Sequence, residues 1–541
     1  MCLAVVAGCG DAIHDPRAAP AGPLGPPPLA NPLRSGESGK PAAPTNAANG
    51  ANAPKPESNG AAQPPIAERA PIAERPPGAE KPKPKFDPIA VNGQYFVGWQ
   101  KPKLAIVVTG HQDGYIEPCG CSGLENQKGG LSRRYSLLRE LSERGWPLAK
   151  VDVGSMVRRF GKQAELQFSA CAEALRQMQY AAVGFGASDL RLSSGEVAAA
   201  VAGDQPDRTI FVSANVDLFG LAPKFRLVEA GGLKLGITSV LGDEYRRQVN
   251  NAELQIAPAA EGLKSVVGEL AGADVKILLA NATLAETREL ARQFPQFDIV
   301  VSGGGAEEPP AEAGRVEGSK ALLIELGHKA MFAVVLGLYD DPQQPVRYQR
   351  VALDSRFPDS PEMKALMTNY QSQLQALGWD GLGLRPSPHP TSRRDNPLAG
   401  KFVGGQSCKE CHEAAWDVYI NSPHARATQT LVDLKPARHF DPECVSCHVT
   451  GWNPQEYFPY VSGYLGLDRT PELAGQSCEN CHGPGAAHID AERGSDKTLQ
   501  AEWRKAMHQD KANADESCRV CHDLDNSINF DFKTYWPQIE H

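Results

Sequence analysis

The chain has 541 residues, enough for two or three domains that each bury a core without a disulfide scaffold. Hydrophobic residues make up 41% and charged residues 22%, ordinary usage for a soluble protein, and a net charge of -9 gives no basic field to attract nucleic acid or an anionic membrane surface. No apolar run is long enough to form a membrane-spanning helix in the sequence as written, which leaves small molecules and other proteins as partners.

Taken in chain order, a short apolar run first ends in Val6, Ala7, Gly8 and Cys9, which resembles a bacterial lipobox. The resemblance implies cleavage before Cys9 and a lipid on the new terminal cysteine, holding the protein on the periplasmic side of a bacterial membrane. Residues 1–9 then read as a signal remnant, and the missing basic region places the true start upstream. Residues 10–85 read as a disordered, extended tether. From about Ala18 to Lys85 the composition is Pro, Ala, Gly, Asn and Glu, with Pro-Ile-Ala-Glu-Arg at Pro65–Arg69 and again at Pro71–Arg75. So few aromatic side chains cannot offset the entropy of ordering.

Residues 86–384 alternate short β-branched runs with amphipathic stretches. Leu104–Thr109, Leu148–Val153, Ile210–Ala214, Leu233–Ser239, Val275–Ala280, Ile299–Ser302 and Ala321–Leu326 are predicted as buried strands. Leu131–Arg144, Ala164–Met178 and a stretch near Ser360–Leu377 are predicted helices, giving a layered α/β domain. Three segments, Val107–Pro118 (VVTGHQDGYIEP), Gly129–Glu140 (GGLSRRYSLLRE) and Val212–Asp217 (VSANVD), resemble the metallophosphoesterase domain of 5'-nucleotidase-like proteins, and Leu233–Thr238 and Ala273–Gly305 fit the same layout. That family holds two metals through Asp-x-His, a second-strand Asp, an Asn-His pair and two later histidines, because in-line attack on phosphorus needs clamped metals and an activated water. Here His111-Gln112-Asp113 runs in reverse order, Asp152 is kept but Ser155 replaces a further Asp, and Gly186-Ala187-Ser188-Asp189 stands for Gly-Asn-His-Glu. Asn281 and Gly303-Gly304-Gly305 replace the later histidines. The expectation is a degenerate domain used for docking or ligand binding.

Cys119 and Cys121 follow the first strand, where an α/β sheet presents its site. Two thiols one residue apart suit a strained disulfide or a soft-metal pair, which His111 and Asp113 would complete as a second metal site; two incidental cysteines are the alternative reading. Cys171, inside a predicted helix, belongs to the core.

Residues 385–399, rich in Pro, Ser and Arg, form a linker to residues 400–541, which carry little strand signal and eight of the thirteen cysteines. Those eight fall into Cys-x-x-Cys-His at Cys408/Cys411/His412, Cys444/Cys447/His448, Cys478/Cys481/His482 and Cys518/Cys521/His522. Three residues apart on a helical turn, two thiols reach both vinyl groups of one porphyrin, and the next residue turns its imidazole to the iron, so the pattern implies four covalent haem c groups. Zinc knuckles and dithiols share Cys-x-x-Cys but need no following histidine; with thirteen histidines in the chain, four such histidines by chance is on the order of one in several million. His424, His439, His488, His508 and His541 remain, against Met507 as the region's only methionine, so His–His ligation and low potentials are expected.

Phe402–Leu431 (FVGGQSCKECHEAAWDVYINSPHARATQTL), Asp441–Trp452 (DPECVSCHVTGW), Glu472–His488 (ELAGQSCENCHGPGAAH) and the end from Cys521 together resemble the cytochrome c-554 family of tetrahaem electron carriers. The resemblance covers about Gly400–His541. It implies a mostly helical fold around closely packed haems, with His424 and His488 first among distal iron ligands and His439 and His541 after them, and it allows one iron without a distal protein ligand. Together these features predict a multidomain protein: an α/β layered metallophosphoesterase-like domain followed by a mostly α-helical multihaem cytochrome c domain, behind a disordered tether. It would pass electrons to redox partner proteins, touch a membrane through its lipid anchor and bind no nucleic acid. The alternatives are a haem-based redox enzyme acting on a small nitrogen or sulfur compound, or a residual phosphoester hydrolase.

Overall fold

The computed structural model describes residues 86–118, 127–204, 209–305, 307–523, 526–527 and 529–541. Cys9, the tether and the Cys119/Cys121 pair lie outside them. A short α1 (Pro88–Asn92), capped by the Asp87 carboxylate, leads into β1 (Leu104–Thr109). Every residue of β1 is buried because both its faces are covered. There follow α2 (Leu131–Glu143), β2 (Leu148–Asp152), α3 (Lys162–Gln177), β3 (Ala182–Val183) and α4 (Ser194–Ala202). The chain then forms β4 (Val216–Asp217), β5 (Arg226–Ala230), β6 (Leu233–Leu241), α5 (Asp243–Arg246), β7 (Gln255–Ile256) and α6 (Ala259–Val266). β8 (Val275–Asn281), α7 (Leu284–Gln293), β9 (Ile299–Ser302), β10 (Gly314–Arg315), β11 (Leu322–Glu325), β12 (Phe332–Leu338), β13 (Val346–Ala352) and α8 (Pro361–Gly381) complete this part.

One sheet runs β13-β12-β1-β2-β3, with β1, β2 and β3 parallel and β12 antiparallel to β1. The other runs β10-β11-β9-β8-β6-β5, parallel from β11 to β6. The two-residue period of β1 sends Leu104, Ile106 and Val108 into a core shared with Ile237, Ile277, Leu279 and Val301 of the second sheet, while Ala105 and Val107 face helices. Residues of α2, α3, α4 and α8 cover the outer face of the first sheet, and α6 and α7 cover that of the second. The result is four layers, helix–sheet–sheet–helix, with the carboxyl ends of β1, β2, β8 and β9 converging.

Ile210–Ala214, expected as a strand, is not one: it makes a single bridge between Phe211 and Val183. Its backbone is divided between the sheets. Val183 N and Val212 N bond across that bridge at 2.9 Å each, and Ala214 N donates to Ser239 O of β6 at 2.8 Å, so the segment staples the edge of one sheet to the other instead of extending a ladder. Strands β3, β4, β5, β7, β10, β12 and β13 lie outside the predicted runs.

Residues 385–399 lie along the helical part: Val461 N donates to Ser387 O at 2.8 Å and the His389 ring meets Tyr460 edge-on at 4.7 Å. Beyond them come α9 (Glu413–Ile420), α10 (Ala427–Asp433), α11 (Pro442–Val445), a hairpin of β14 (Trp452–Asn453) and β15 (Phe458–Pro459), then α12 (Cys478–His482), α13 (Ala486–Arg493), α14 (Lys497–Ala506), α15 (Lys511–Arg519) and α16 (Phe532–Tyr535). Among the described residues the buried apolar side chains here form two small clusters, one around Phe402, Trp452 and Tyr464 and one around Ala487 and Trp503. Side chains alone bury little in this part. The described residues from 86 onward nonetheless form one compact unit, in which contacts such as Gln163 to Asp441 at 2.9 Å and the Trp379 and Trp452 rings at 5.1 Å join the helical part to the α/β part. Among the described residues no helix is long and apolar enough to cross a membrane.

Candidate haem centres

All four Cys-x-x-Cys-His motifs sit on single helical turns. His412 N donates to Cys408 O at 3.0 Å and His522 N to Cys518 O at 2.9 Å; the second motif spans the end of α11, where His448 N donates to Val445 O at 2.9 Å, and the third is α12 itself. Three motif imidazoles are oriented through Nδ1: His448 to Ala427 O at 2.7 Å, His482 to Met507 O at 2.7 Å, and His522 to Ser527 Oγ at 3.1 Å. A second bond at Nδ1 fixes the tautomer and presents Nε2 as the lone-pair donor to a metal. Burial, ahead of any charge effect, lowers the pKa of each of these three rings and so favours the neutral form that ligates.

Three motif histidines face a second imidazole from elsewhere in the chain. Ring centroids stand 6.4 Å apart for His412 and His488, 6.1 Å for His522 and His424, and 5.7 Å for His482 and His541. With metal–imidazole bonds of about 2 Å and a further ~1 Å from nitrogen to ring centre, two imidazoles on one metal put their centroids ~6 Å apart. These are the separations that an iron between the rings requires. The facing rings are prepared for the same state. Burial, then the neighbouring His522 and His448, push His424 down to about 4, and burial also lowers His488, whose Nδ1 has no hydrogen-bond partner. His541 is oriented through Nδ1 by Ile539 O at 2.9 Å. His439, the remaining candidate, is in none of the three pairs; its ring packs on Phe440 at 3.8 Å and its buried Nδ1 lacks a hydrogen-bond partner. The residues present fit haem c: paired thiols, an adjoining imidazole and, at three motifs, an opposed one.

The motifs are also packed in twos. The Cys408 side chain lies beside that of Cys478, and Cys447 beside Cys521, so the first motif adjoins the third and the second adjoins the fourth. Glu479, inside the third motif and 2% exposed, ties it to the first: its carboxylate accepts from Val403 N at 3.0 Å, Gly404 N at 2.7 Å and Gly485 N at 2.7 Å. Gly404, at φ +81°, lies where a Cβ would come within 2.7 Å of Glu472 O, so the close approach of these segments needs a glycine. Thr450 Oγ1 donates toward Gly475 O at 2.8 Å and accepts from Ser477 N at 3.2 Å, linking the second motif to the third.

At the converging strand ends of the α/β part, Arg134 is 1% exposed and lies against Asp152 at 3.3 Å and Gln112 Oε1 at 2.5 Å. Asp152 also accepts from Thr109 Oγ1 at 2.6 Å and Gly154 N at 2.9 Å. The guanidinium supplies the positive charge that a bound cation would otherwise bring to this carboxylate. His111, Asp113 and Ser155 hold left-handed φ values of +53°, +52° and +62°, a conformation that costs non-glycine residues energy and that backbone bonds such as His111 N to Gly154 O, 2.9 Å, enforce here. His111 Nδ1 is 3.7 Å from Asp113 Oδ1, and Asp113 Oδ2 accepts from Lys329 N at 3.1 Å. Burial lowers the His111 pKa, but the Asp113 hydrogen bond and charge outweigh it and the net shift is upward. Asn281 Nδ2 donates to Ser155 Oγ at 2.9 Å. Asp189 accepts the N–H groups of Gly186, Ser155, Met156 and Val157 and fixes the loop after β2. Among the described residues no three or more His, Cys, Asp or Glu side chains are arranged to hold a metal ion. Cys119 and Cys121 lie outside those residues.

Sequence reasoning missed Arg134, Glu479 and Asp441, which are 1%, 2% and 6% exposed. Charged residues at these positions read as solvated, and only the three-dimensional partners show them buried.

Comparison with known proteins agrees with the C-terminal geometry. The family model described as cytochrome c554 and c-prime matches residues 407–483. Cytochrome c-554 of Nitrosomonas europaea is 29% identical over 151 residues, covering 24% of this chain and 62% of that protein. The chain therefore spans about six-tenths of the length of the curated relative it matches. Among solved structures, the chain is similar to a 5'-nucleotidase precursor from Thermus thermophilus (22% identity, 51% of this chain, 59% of that one, TM-score 0.44). It is also similar to the sulfate thiohydrolase SoxB of Thermus thermophilus (14%, 51% and 62%, TM-score 0.43) and to the NAD nucleotidase of Haemophilus influenzae (14%, 52% and 72%, TM-score 0.40). The protein is multidomain, an α/β region followed by a largely helical, cytochrome c-like haem-binding domain.

Proposed function

We propose that the chain is a tetrahaem c-type cytochrome that carries out electron transfer between protein partners, held by a lipid on Cys9 at the periplasmic side of a bacterial membrane. The observation that carries this reading is the set of three facing imidazole pairs at metal-bridging separation. Haem c, when bound, supplies a one-electron iron couple. Its thioethers would be made by Cys408 and Cys411, Cys444 and Cys447, Cys478 and Cys481, and Cys518 and Cys521, with His412, His448, His482 and His522 as proximal ligands. His488, His424 and His541 would be the distal ligands of the first, fourth and third groups respectively. Paired imidazoles without methionine favour low potentials, and the Nδ1 acceptors hold the ligand rings in one tautomer and orientation. The packing of motif one on three and of motif two on four supports electron exchange between the attached groups within the domain.

The α/β domain serves in this reading as a docking or ligand-binding platform. Its support is Arg134, which neutralises Asp152 where a phosphoesterase would need a cation. A net charge of -9 favours protein partners over nucleic acid. The test is electron paramagnetic resonance of the oxidised protein combined with a reductive titration. Expected are low-spin signals of imidazole-paired iron for at least three centres and an uptake of four electrons per chain. Predominantly high-spin iron, or uptake of fewer electrons, would overturn the ligand assignment.

A further inference from the structure

The loop after β2 carries three exposed side chains in a row, Arg158, Arg159 and Phe160. Its first half is fixed: Asp189 accepts from the N–H groups of Ser155, Met156 and Val157, and the side chains of Met156 and Val157 are buried in the core. Its second half ends at Gly161, which at φ +96° turns the chain into α3. The three residues between these fixed points project outward. Phe160 is 72% exposed, and the Arg191 guanidinium, from the turn that also carries Asp189, stands 5.5 Å from its ring.

Among the described residues neither the Arg158 nor the Arg191 side chain makes a hydrogen bond or an ion pair, whereas Lys162 nearby is paired with Glu165 at 3.2 Å and Glu196 at 2.7 Å. The two free guanidinium groups make a positive spot on a chain of net charge -9. A lone exposed phenyl ring signifies nothing, but an aromatic ring set among arginines is the composition that protein contacts favour. Arg159 ties this spot to the haem-binding part: it lies over the Tyr457 ring at 3.8 Å and donates to Gln455 O at 2.7 Å. Gln455 Nε2 in turn donates to Val520 O at 2.6 Å, and Val520 stands between Cys518 and Cys521. Two hydrogen bonds through one residue of the β14–β15 hairpin thus join the loop to the fourth motif.

We propose that Arg158, Phe160 and Arg191 form the docking surface for an acidic one-electron redox protein, which delivers its electron to the chain at the fourth motif. Phe160 is the apolar anchor, and the two guanidinium groups attract carboxylates on the partner and set its approach. One electron passes from the partner's reduced centre to the group bound through Cys518 and Cys521; the partner is oxidised, no bond forms or breaks, and no proton moves. Two free cations are too few to hold the chain on an anionic lipid surface, whose recognition takes clusters of about four or more. This gives the docking role of the α/β domain a place and a partner, and it rests on the haem reading above.

The test is stopped-flow reduction of the haem-loaded full chain by a reduced plant-type [2Fe–2S] ferredoxin, an acidic carrier of low potential. In the wild type the second-order rate falls as salt rises, because attraction across the contact is screened within about 10 Å at ~0.1 M salt. At low salt R158E/R191E is slowed roughly tenfold or more and loses that salt dependence. K224E/K264E, which reverses as many exposed charges on the side of the second sheet, stays near the wild-type rate. F160S keeps the salt dependence but needs about tenfold more ferredoxin to saturate. Equal rates in wild type and R158E/R191E, or an equal loss in K224E/K264E, overturn the docking surface. Cosedimentation with phosphatidylglycerol vesicles that R158E/R191E abolishes would mark the loop as membrane-facing and overturn it too. Dithionite titration of each variant separates the two claims: uptake of fewer than four electrons per chain sinks the haem reading, whereas full uptake with ferredoxin rates indifferent to these residues sinks the docking surface alone.

Discussion

Replacing Glu479 by alanine removes the acceptor shared by three backbone N–H groups, those of Val403, Gly404 and Gly485, in a place that is 2% exposed. Each buried N–H left without a partner costs about 1–3 kcal/mol, so the Ala variant should lose ~3–6 kcal/mol after partial relaxation. That is a large part of the ~5–15 kcal/mol that holds a domain together. Glutamine keeps one carbonyl oxygen and turns an amide N–H toward the donors it cannot accept from, so E479Q should lose ~1–3 kcal/mol. Glu410, whose side chain is 79% exposed and 3.7 Å from Arg493, provides the control, since E410A should leave stability unchanged. The assay is guanidinium unfolding of the haem-loaded chain followed by the Soret band. The order alanine, then glutamine, then wild type and E410A together is expected. An E479A midpoint indistinguishable from that of E410A, or E479Q as damaged as E479A, would refute the view that this carboxylate staples the first motif to the third.

Other consequences follow from the same contacts. H488A should convert one low-spin centre to high spin in the paramagnetic resonance spectrum and leave the others unchanged, whereas an H488A spectrum matching wild type would break the pairing with His412. R134M leaves the buried Asp152 carboxyl group beside Thr109 without its guanidinium partner, and should destabilise the α/β domain by ~3–5 kcal/mol in denaturant unfolding; D152N in the same background should recover part of the loss. Glu443 is raised from 4.5 to about 7 in the folded chain, so the unfolded chain binds fewer protons between those values. Its contribution to stability is therefore complete below about pH 4.5 and is lost as pH rises through about 7, and E443Q should flatten that part of the unfolding midpoint–pH curve.

What the sequence displayed depended on how local each signal is. The four motifs are legible because the chemistry of thioether attachment needs two thiols and an imidazole within five consecutive residues. The opposed rings are not, since His424 meets His522 and His541 meets His482 across long stretches of chain that only the fold brings together. β1 and β9 are plain as short runs of buried aliphatic residues. Ile210–Ala214 carries the same apolar signal but divides its hydrogen bonds between two sheets, and no periodicity can report that. β13, Val346–Ala352, escaped because Arg347, Gln349 and Arg350 interrupt the apolar pattern on a half-buried strand. Arg134 stands among ordinary helical residues in the sequence, and its meaning appears only when α2 lays it on Asp152. Asp441 likewise gives no signal in the sequence until α3 and α8 cover it with Gln163 and Gln371.

The central claim is that eight C-terminal thiols hold porphyrin. Intact mass spectrometry of protein matured in a host with haem c assembly, read together with its pyridine haemochrome absorbance, measures this directly. The expected mass is that of the processed polypeptide plus four covalent haems, with none of the eight motif cysteines open to alkylation. A colourless chain at the bare polypeptide mass, with those cysteines reactive or bound to zinc, would contradict it.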